Sequence, residues 1–365
     1  MSRVNRLVAL SLAGLAAMAA LSIARSSVAP SARAAAAPPT PTTSELVGQR
    51  LMVAMRGTRP SAALLGRVRR GEIGGVILFG SNITGPSQLR ALTGELQSAA
   101  RAAGRPPLLI ATDQEGGRVR RVPWAGPVQG APELGGSSAP QIRREALLVG
   151  RALRAGGITV DLAPVADIPG VGSFMAADDR TFGATGSVVG RAVTAFARGL
   201  ADARVAATAK HFPGIGRATI NTDSSLVEIR ASRSALESDL APFRAAIGAG
   251  VPMVMISNAS YPALDSKPAP WSPRIQSLLR NELGFEGVTI TDALDGAAAT
   301  RRRTLPSVAV LSAQAGVDIL LFTGSEASSA AAFERLAAAA AAGRIPANAL
   351  QRSYDRILAL KQAYG

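Results

Sequence analysis

Eight short apolar runs recur along the chain, each followed by a longer stretch with helical spacing, and this alternation constrains the fold more than any other feature. The runs are Leu51–Met55, Gly75–Phe79, Leu108–Asp113, Val160–Val165, Val205–His211, Met253–Ser257, Val288–Asp292 and Asp318–Phe322. Val47–Met55 also fits the end of a helix. Between the runs lie Ala-, Leu- and Arg-rich stretches with apolar residues three and four apart, such as Ser87–Ala103, Gln141–Gly156 and Ala235–Ala249. That period buries one face of a helix. A last helix is expected over Ala349–Tyr364, and the alanine tract Ala337–Ala342 reads as ordinary helix. Strands that alternate with helices pair in parallel, because each helix carries the chain back to the start of the next strand.

Eight such units in about 320 residues fit one α/β domain of the (β/α)8 TIM-barrel type, spanning residues 44–365. A doubly wound open sheet is the structural alternative. The polar residues argue against it. Nearly every run ends in a polar cluster: Asp113-Gln114-Glu115, Asp167, Lys210-His211, Ser257-Asn258 and Thr291-Asp292. A barrel gathers all these ends on one rim, whereas an open sheet brings only a few to its switch point.

The first segment reads differently. Arg3 and Arg6 precede an apolar run from Leu7 to Ala24, and Ala32-Arg33-Ala34 has the form of a small-residue cleavage site. Residues 1–34 therefore read as a signal peptide for export to the bacterial envelope or beyond. The run over 7–24 also reaches the lower length limit of a membrane anchor. Residues 35–43, rich in Ala, Pro and Thr, read as a linker. The chain contains no cysteine, so disulfides and thiolate metal sites are excluded, as is a lipid-modified N-terminal cysteine. Its formal charge is +15, almost all of it arginine and spread along the chain. Aromatic residues are only 4%, which argues against a nucleic-acid surface built on clustered charge and stacking rings. The charge reads either as a general arginine preference or as attraction to an anionic polymer such as cell wall.

Four segments carry chemistry. Val288-Thr289-Ile290-Thr291-Asp292 is an apolar strand ending in a carboxylate. Such an acid must be solvated, paired or functional. Asp292 could instead cap a following helix, as could Asp295. Lys210-His211-Phe212-Pro213-Gly214 holds the only histidine of the chain, at a strand end before a Pro/Gly loop. A single histidine without cysteine is a poor transition-metal site. Asp113-Gln114-Glu115-Gly116-Gly117-Arg118 and Asp178-Asp179-Arg180-Thr181-Phe182-Gly183 place acids beside arginines, which either neutralise one another or face a ligand.

Together with Asp161-Leu162-Ala163-Pro164-Val165-Ala166-Asp167, these segments resemble glycoside hydrolase family 3, and within it the single-barrel β-N-acetylhexosaminidase branch. The resemblance runs from about Gln49 to the C-terminus. It implies a retaining mechanism with Asp292 as nucleophile. It also implies that Asp113, Arg121, Arg180, Lys210 and His211 hold the sugar. A retaining enzyme needs a second group near the nucleophile to protonate the leaving oxygen and then activate water.

The chain departs from the family pattern at that second group. The usual Lys-His-Phe-Pro-Gly-His-Gly reads Ile215 at its second histidine. The later Asp-Ser-His motif, whose histidine serves as acid/base, reads Asp223-Ser224-Ser225. The loop from Arg217 to Thr222 is slightly longer than usual. Serine has no titration near neutral pH and cannot shuttle the proton. Three readings follow: Asp223 acts as acid/base with a raised pKa; another rim acid, Glu115 or Asp295, does so; or the chain keeps sugar binding without hydrolysis.

The expected function is release of terminal non-reducing β-linked N-acetylhexosamine, on fragments of cell wall outside the cytoplasm. A β-glucosidase of the same family is the enzymatic alternative, and an exported, non-catalytic sugar-binding protein is the alternative of another class. The expected partner is the carbohydrate substrate. No cofactor, metal or nucleic acid is expected, nor any membrane partner beyond an N-terminal anchor, and the chain is read as a monomer. No Gly-x-Ser-x-Gly elbow is present for a serine hydrolase.

Overall fold

A computed structural model describes residues 41–300 and 303–365. The expected export segment and residues 35–40 of the expected linker lie outside these residues. The first helix, Thr43–Gly48, begins at the last linker position and is capped by Thr42 and Glu45, each side chain bonding the other residue's amide.

All eight expected strands are present: β1 Leu51–Ala54, β2 Gly75–Ile77, β3 Leu109–Thr112, β4 Val160–Asp161, β5 Ala206–Phe212, β6 Met253–Ile256, β7 Val288–Thr291 and β8 Leu320–Phe322. They pair in parallel and in chain order, with β8 against β1 in register Leu51 to Leu320. The ring closes between β7 and β8, where Ile319 N donates to Thr289 O at 2.8 Å and Thr291 N to Ile319 O at 3.0 Å. This is a (β/α)8 barrel, not an open sheet.

Alternation along each strand sorts the apolar residues into two layers. Met52, Ile77, Leu109, Val160, Met253 and Ile290 belong to the cluster inside the barrel. Their neighbours Leu51, Val53, Val76, Ile110 and Val254 belong to the layer between strands and helices. Because both faces are covered, the strands read as continuous apolar runs rather than alternating ones. Ile357 and Leu360 of the final helix, Ala347–Tyr364, pack with the interior cluster.

The helices follow their spacing. Gly186–Asp202 buries Val189, Val193, Phe196 and Leu200, one face at three- and four-residue steps, and Thr185 caps its start. The single helix expected over Ala235–Ala249 is two, Arg233–Asp239 and Ala241–Gly248. Pro242 explains the break, since it lacks an N–H and is tolerated only in a first turn. β4 is shorter than its apolar run, but its contact with β5 continues beyond Asp161, where Thr208 N and Lys210 N donate to Ala163 O and Pro164 O at 2.8 and 3.1 Å. No described helix is long and apolar enough to cross a membrane.

Candidate active site

At the C-terminal ends of the strands lies a cavity of about 450 Å³. Asp113, Arg121, Arg180, Lys210, His211, Asp223 and Asp292 all line it, and so does Asp295. Of these seven expected site residues, Lys210 and His211 lie at the end of β5 and the others on segments after β3, β4, β5 and β7, separated by up to 179 positions in the chain.

Lys210 sits at the centre of a charge cluster. Its buried Nζ donates to Asp113 Oδ1 at 2.7 Å and lies 2.7 Å from Glu115 Oε1. Arg180 grips the same Glu115 with two bonds, Nε to Oε2 at 2.9 Å and Nη2 to Oε1 at 2.7 Å. Burial by itself would lower the Lys210 pKa, but Asp113 first and Glu115 next outweigh it and raise it. For Glu115, burial opposes ionisation, yet the charges of Lys210 and then Arg180 hold its carboxyl well below the usual carboxylate range. A carboxylate so held cannot carry a proton near neutral pH, so Glu115 is unsuited to the acid/base role. It serves instead to fix Lys210 and Arg180. The neighbouring Arg118 pairs with Asp179 across 3.5 Å at the surface, so Glu115's partner comes from 65 residues away rather than from its own segment.

The base of the cluster is held by Gln114 and Asp161, two residues of the quoted segments that carried no assigned role. Gln114 turns inward: its Nε2 donates to Val122 O at 2.9 Å and its Oε1 accepts from Val122 N at 2.9 Å, closing the hairpin that carries Arg121. Asp161 accepts from Gln114 N at 2.9 Å, while its other oxygen is buried without a partner among the described residues. Burial raises the Asp161 pKa far above the ordinary value. A neutral Asp161 also leaves the two cations Lys210 and Arg180 balanced by Asp113 and Glu115. The sequence signal was the polar residue inside an otherwise apolar strand.

His211 is oriented from behind. Its Nδ1 lies 2.8 Å from Asp167 Oδ2, and Asp167 Oδ1 accepts from Ile215 N at 2.8 Å. With a carboxylate at Nδ1, that nitrogen carries the hydrogen and Nε2 is left for the cavity. The Lys210–His211 peptide is cis, as are Ala163–Pro164 and Phe212–Pro213. The buried Nε of Arg121 has no partner among the described residues.

Asp292 ends β7, and its Oδ1 accepts from Ala293 N at 2.8 Å. Among the described residues neither its side chain nor that of Asp295 bonds an amide of the next helix, Ala297–Thr300. The first two amides of that helix donate to the carbonyls of Asp223 and Thr222, at 2.9 and 3.1 Å. Asp295 Oδ2 accepts from Thr323 N at 2.6 Å and Gly324 N at 3.1 Å, which ties the β7 loop to the end of β8. That commitment makes Asp295 a structural acid. Asp223 stands on the loop after β5. Desolvation first, and the charge of Asp292 second, raise its pKa, against smaller opposing effects of His211 and Arg180. The residue is also open to solvent at the cavity mouth, so screening moderates the effect of those charges. Ser225 is not among the residues that line the cavity.

The rim gathers carboxylates, three cations and an oriented histidine into one pocket, an arrangement suited to the hydrolysis of a glycosidic bond. The chain belongs to glycosyl hydrolase family 3: residues 42–360 match the family's N-terminal domain. It is similar to a secreted glycosyl hydrolase of Arthroderma benhamiae, 38% identical over 328 residues, covering 86% of this chain and 92% of that one. A beta-hexosaminidase of Alkalilimnicola ehrlichii is 37% identical over 281 residues, covering 74% of this chain and 79% of that one. Among solved structures, a family 3 beta-N-acetylglucosaminidase from Paenibacillus matches with a TM-score of 0.84 at 36% identity. That match covers 89% of this chain and 63% of the Paenibacillus protein.

Proposed function

We propose that this protein is a retaining β-N-acetylhexosaminidase that releases terminal, non-reducing β-linked N-acetylhexosamine. The observation that carries the reading is one cavity lined by both Asp292 and Asp223 and backed by the Lys210 cluster. The beta-hexosaminidases among its relatives favour this activity over that of a β-glucosidase.

Asp292 is the nucleophile. Its carboxylate attacks the anomeric carbon as the glycosidic bond breaks, giving a glycosyl-enzyme ester. Asp223 is the acid/base: it protonates the leaving oxygen, then takes the proton of the water that hydrolyses the ester. Its raised pKa supports the first role; desolvation remains once Asp292 is esterified, but the second cause, the Asp292 charge, is gone, which supports the second role. Asp113, Lys210, His211, Arg121 and Arg180 bind the sugar hydroxyls and fix the ring over Asp292. The protein is exported through residues 1–34 and acts on cell-wall fragments; a secreted relative and the excess of arginine support this placement.

The test is turnover of 4-nitrophenyl N-acetyl-β-glucosaminide and of the matching glucoside, beside Asp292→Ala. The expected result is preference for the N-acetyl substrate and loss of turnover in the variant. Preference for the glucoside would replace the substrate, and sugar binding without turnover by the native protein would make it a binding protein.

A further inference from the structure

The loop after β5 contains Asn221-Thr222-Asp223-Ser224-Ser225, and the place of its asparagine decides how Asp223 is held. An asparagine side chain is short enough to accept a hydrogen bond from the backbone amide two residues on, closing an Asx turn. Asn221 does so: its Oδ1 accepts from Asp223 N at 2.9 Å. Its carbonyl accepts from Ser224 N at 3.3 Å, Ser225 N at 3.2 Å and Ser224 Oγ at 3.1 Å. One residue thus gathers the turn, and Asn221, Thr222 and Asp223 all line the cavity.

Both backbone polar groups of Asp223 are therefore engaged, the amide by Asn221 and the carbonyl by Ala297 N at 2.9 Å. Its backbone is fixed from two sides while its carboxyl is left for the cavity. The bond from Asp223 N lies at the surface, where water can take its place, so it contributes little to stability and its removal leaves the fold intact. What it sets is direction. Asp292, His211, Arg180 and Asp113 act on the charge of Asp223, and Arg121, Lys210 and Asp295 line the same cavity. An aspartate at position 221 would close the same turn but bring a further negative charge to the acid; the neutral amide brings none.

We infer that Asn221 is a positioning residue: its side-chain amide fixes the backbone of Asp223 so that the carboxyl meets the leaving oxygen, and it does so without adding charge. The inference rests on the function proposed above, with Asp223 as the acid. Loss of the turn lets the acid swing away from the leaving oxygen, which matters only where the bond cannot break without a proton. A carboxylate in place of the amide keeps the turn, and its charge opposes ionisation of the acid.

The experiment measures kcat/KM of Asn221→Ala, Asn221→Asp and Asp223→Ala on methyl and 2,4-dinitrophenyl N-acetyl-β-glucosaminides across pH. This constant reports the bond-breaking step, in which the methyl glycoside needs a full proton and the dinitrophenyl glycoside almost none. In Asn221→Ala the methyl glycoside is expected to lose roughly tenfold and the dinitrophenyl glycoside less than about threefold. In Asn221→Asp turnover of the methyl glycoside is restored relative to Asn221→Ala, and the alkaline limb of its profile moves to higher pH, which a side chain serving packing alone would not bring about. Equal losses on both substrates in Asn221→Ala, or an alkaline limb that stays in place in Asn221→Asp, would overturn the inference. So would native behaviour of Asn221→Ala while Asp223→Ala discriminates between the substrates, a result that leaves the proposed acid standing. Native activity of Asp223→Ala on both substrates would remove the acid and this inference together.

Discussion

The carbonyl of Asp223 accepts a hydrogen bond from the amide of Ala297 at 2.9 Å. Asp223 stands on the loop after β5 and Ala297 five residues beyond Asp292 at the end of β7, so one backbone bond sets the proposed acid against the segment of the proposed nucleophile. Thr222 O and Ala298 N add a second bond at 3.1 Å. A helix N-terminus, whose free amides need acceptors, is thereby used to dock the loop of the proposed acid.

Gly296 lies at this contact, and the loop's position should depend on it. A Cβ there would stand 3.2 Å from Ala293 O, 3.3 Å from Asp223 Cα and 3.4 Å from Asp223 Oδ1. The neighbours must give by a few tenths of an ångström. Gly296→Ala is expected to lower kcat/KM on alkyl glycosides by roughly tenfold, since displacement of a catalytic group is costly. Activated aryl glycosides, which need little protonation, should change less. Equal losses on both substrates would show that the substitution disturbs something other than the acid.

The two aspartates should be separable by the product that azide gives. In Asp292→Ala, azide can take the place of the lost nucleophile and yields the α-glycosyl azide. In Asp223→Ala, azide attacks the glycosyl-enzyme and yields the β-glycosyl azide, with activated aryl substrates slowed far less than alkyl ones. Removal of the nucleophile is expected to cost about a thousandfold or more in kcat. Full activity of Asp223→Ala on all substrates would refute its assignment.

The pH dependence of kcat/KM follows from the direction of the Asp223 shift. A general acid works only while protonated, and a raised pKa extends that range upward. Activity on alkyl glycosides should therefore fall as pH rises through the Asp223 pKa, by about tenfold per pH unit beyond it. Asp223→Ala should abolish this limb. Profiles of the two proteins on one alkyl and one activated aryl substrate measure this.

Stability should carry a separate titration far from the site. Lys361 of the last helix is buried, with Nζ donating to Gln49 Oε1 at 2.5 Å, and burial lowers its pKa to about 7. The unfolded chain keeps a lysine near its ordinary value, so between these pKa values it binds more protons than the folded one. Stability then rises with pH above about 7, and the full cost of the buried charge is present below it. Lys361→Met should raise Tm at pH 6, with a gain that shrinks toward pH 10. A gain independent of pH would show that packing, not charge, is responsible.

The alternation of apolar runs was enough to place eight strands and to favour a closed barrel, because burial on both faces writes itself into each strand. The polar strand ends marked the rim, and five segments carried the family resemblance. The helix broken at Pro242 was legible too, had the proline been weighed above the apolar period. What the sequence left open was which charge meets which. Asp292 and Asp318 are both aspartates flanking an apolar run. Asp318 begins β8's run at the opposite end of the barrel, where Arg280, Arg356 and Ser353 bond its buried carboxylate. Asp292 faces the cavity.

Glu115 shows the same limit. Beside Arg118 in the chain, it pairs instead with Lys210 and Arg180, and so loses the proton that an acid/base would need. The sequence by itself determined the barrel, the family and the set of residues brought to the rim, since these depend on local pattern and strand polarity. Only the tertiary structure decided their partners, their burial and the direction of their pKa shifts. Each of those depends on distances between loops that are remote in the chain and meet only once the ring of strands has closed.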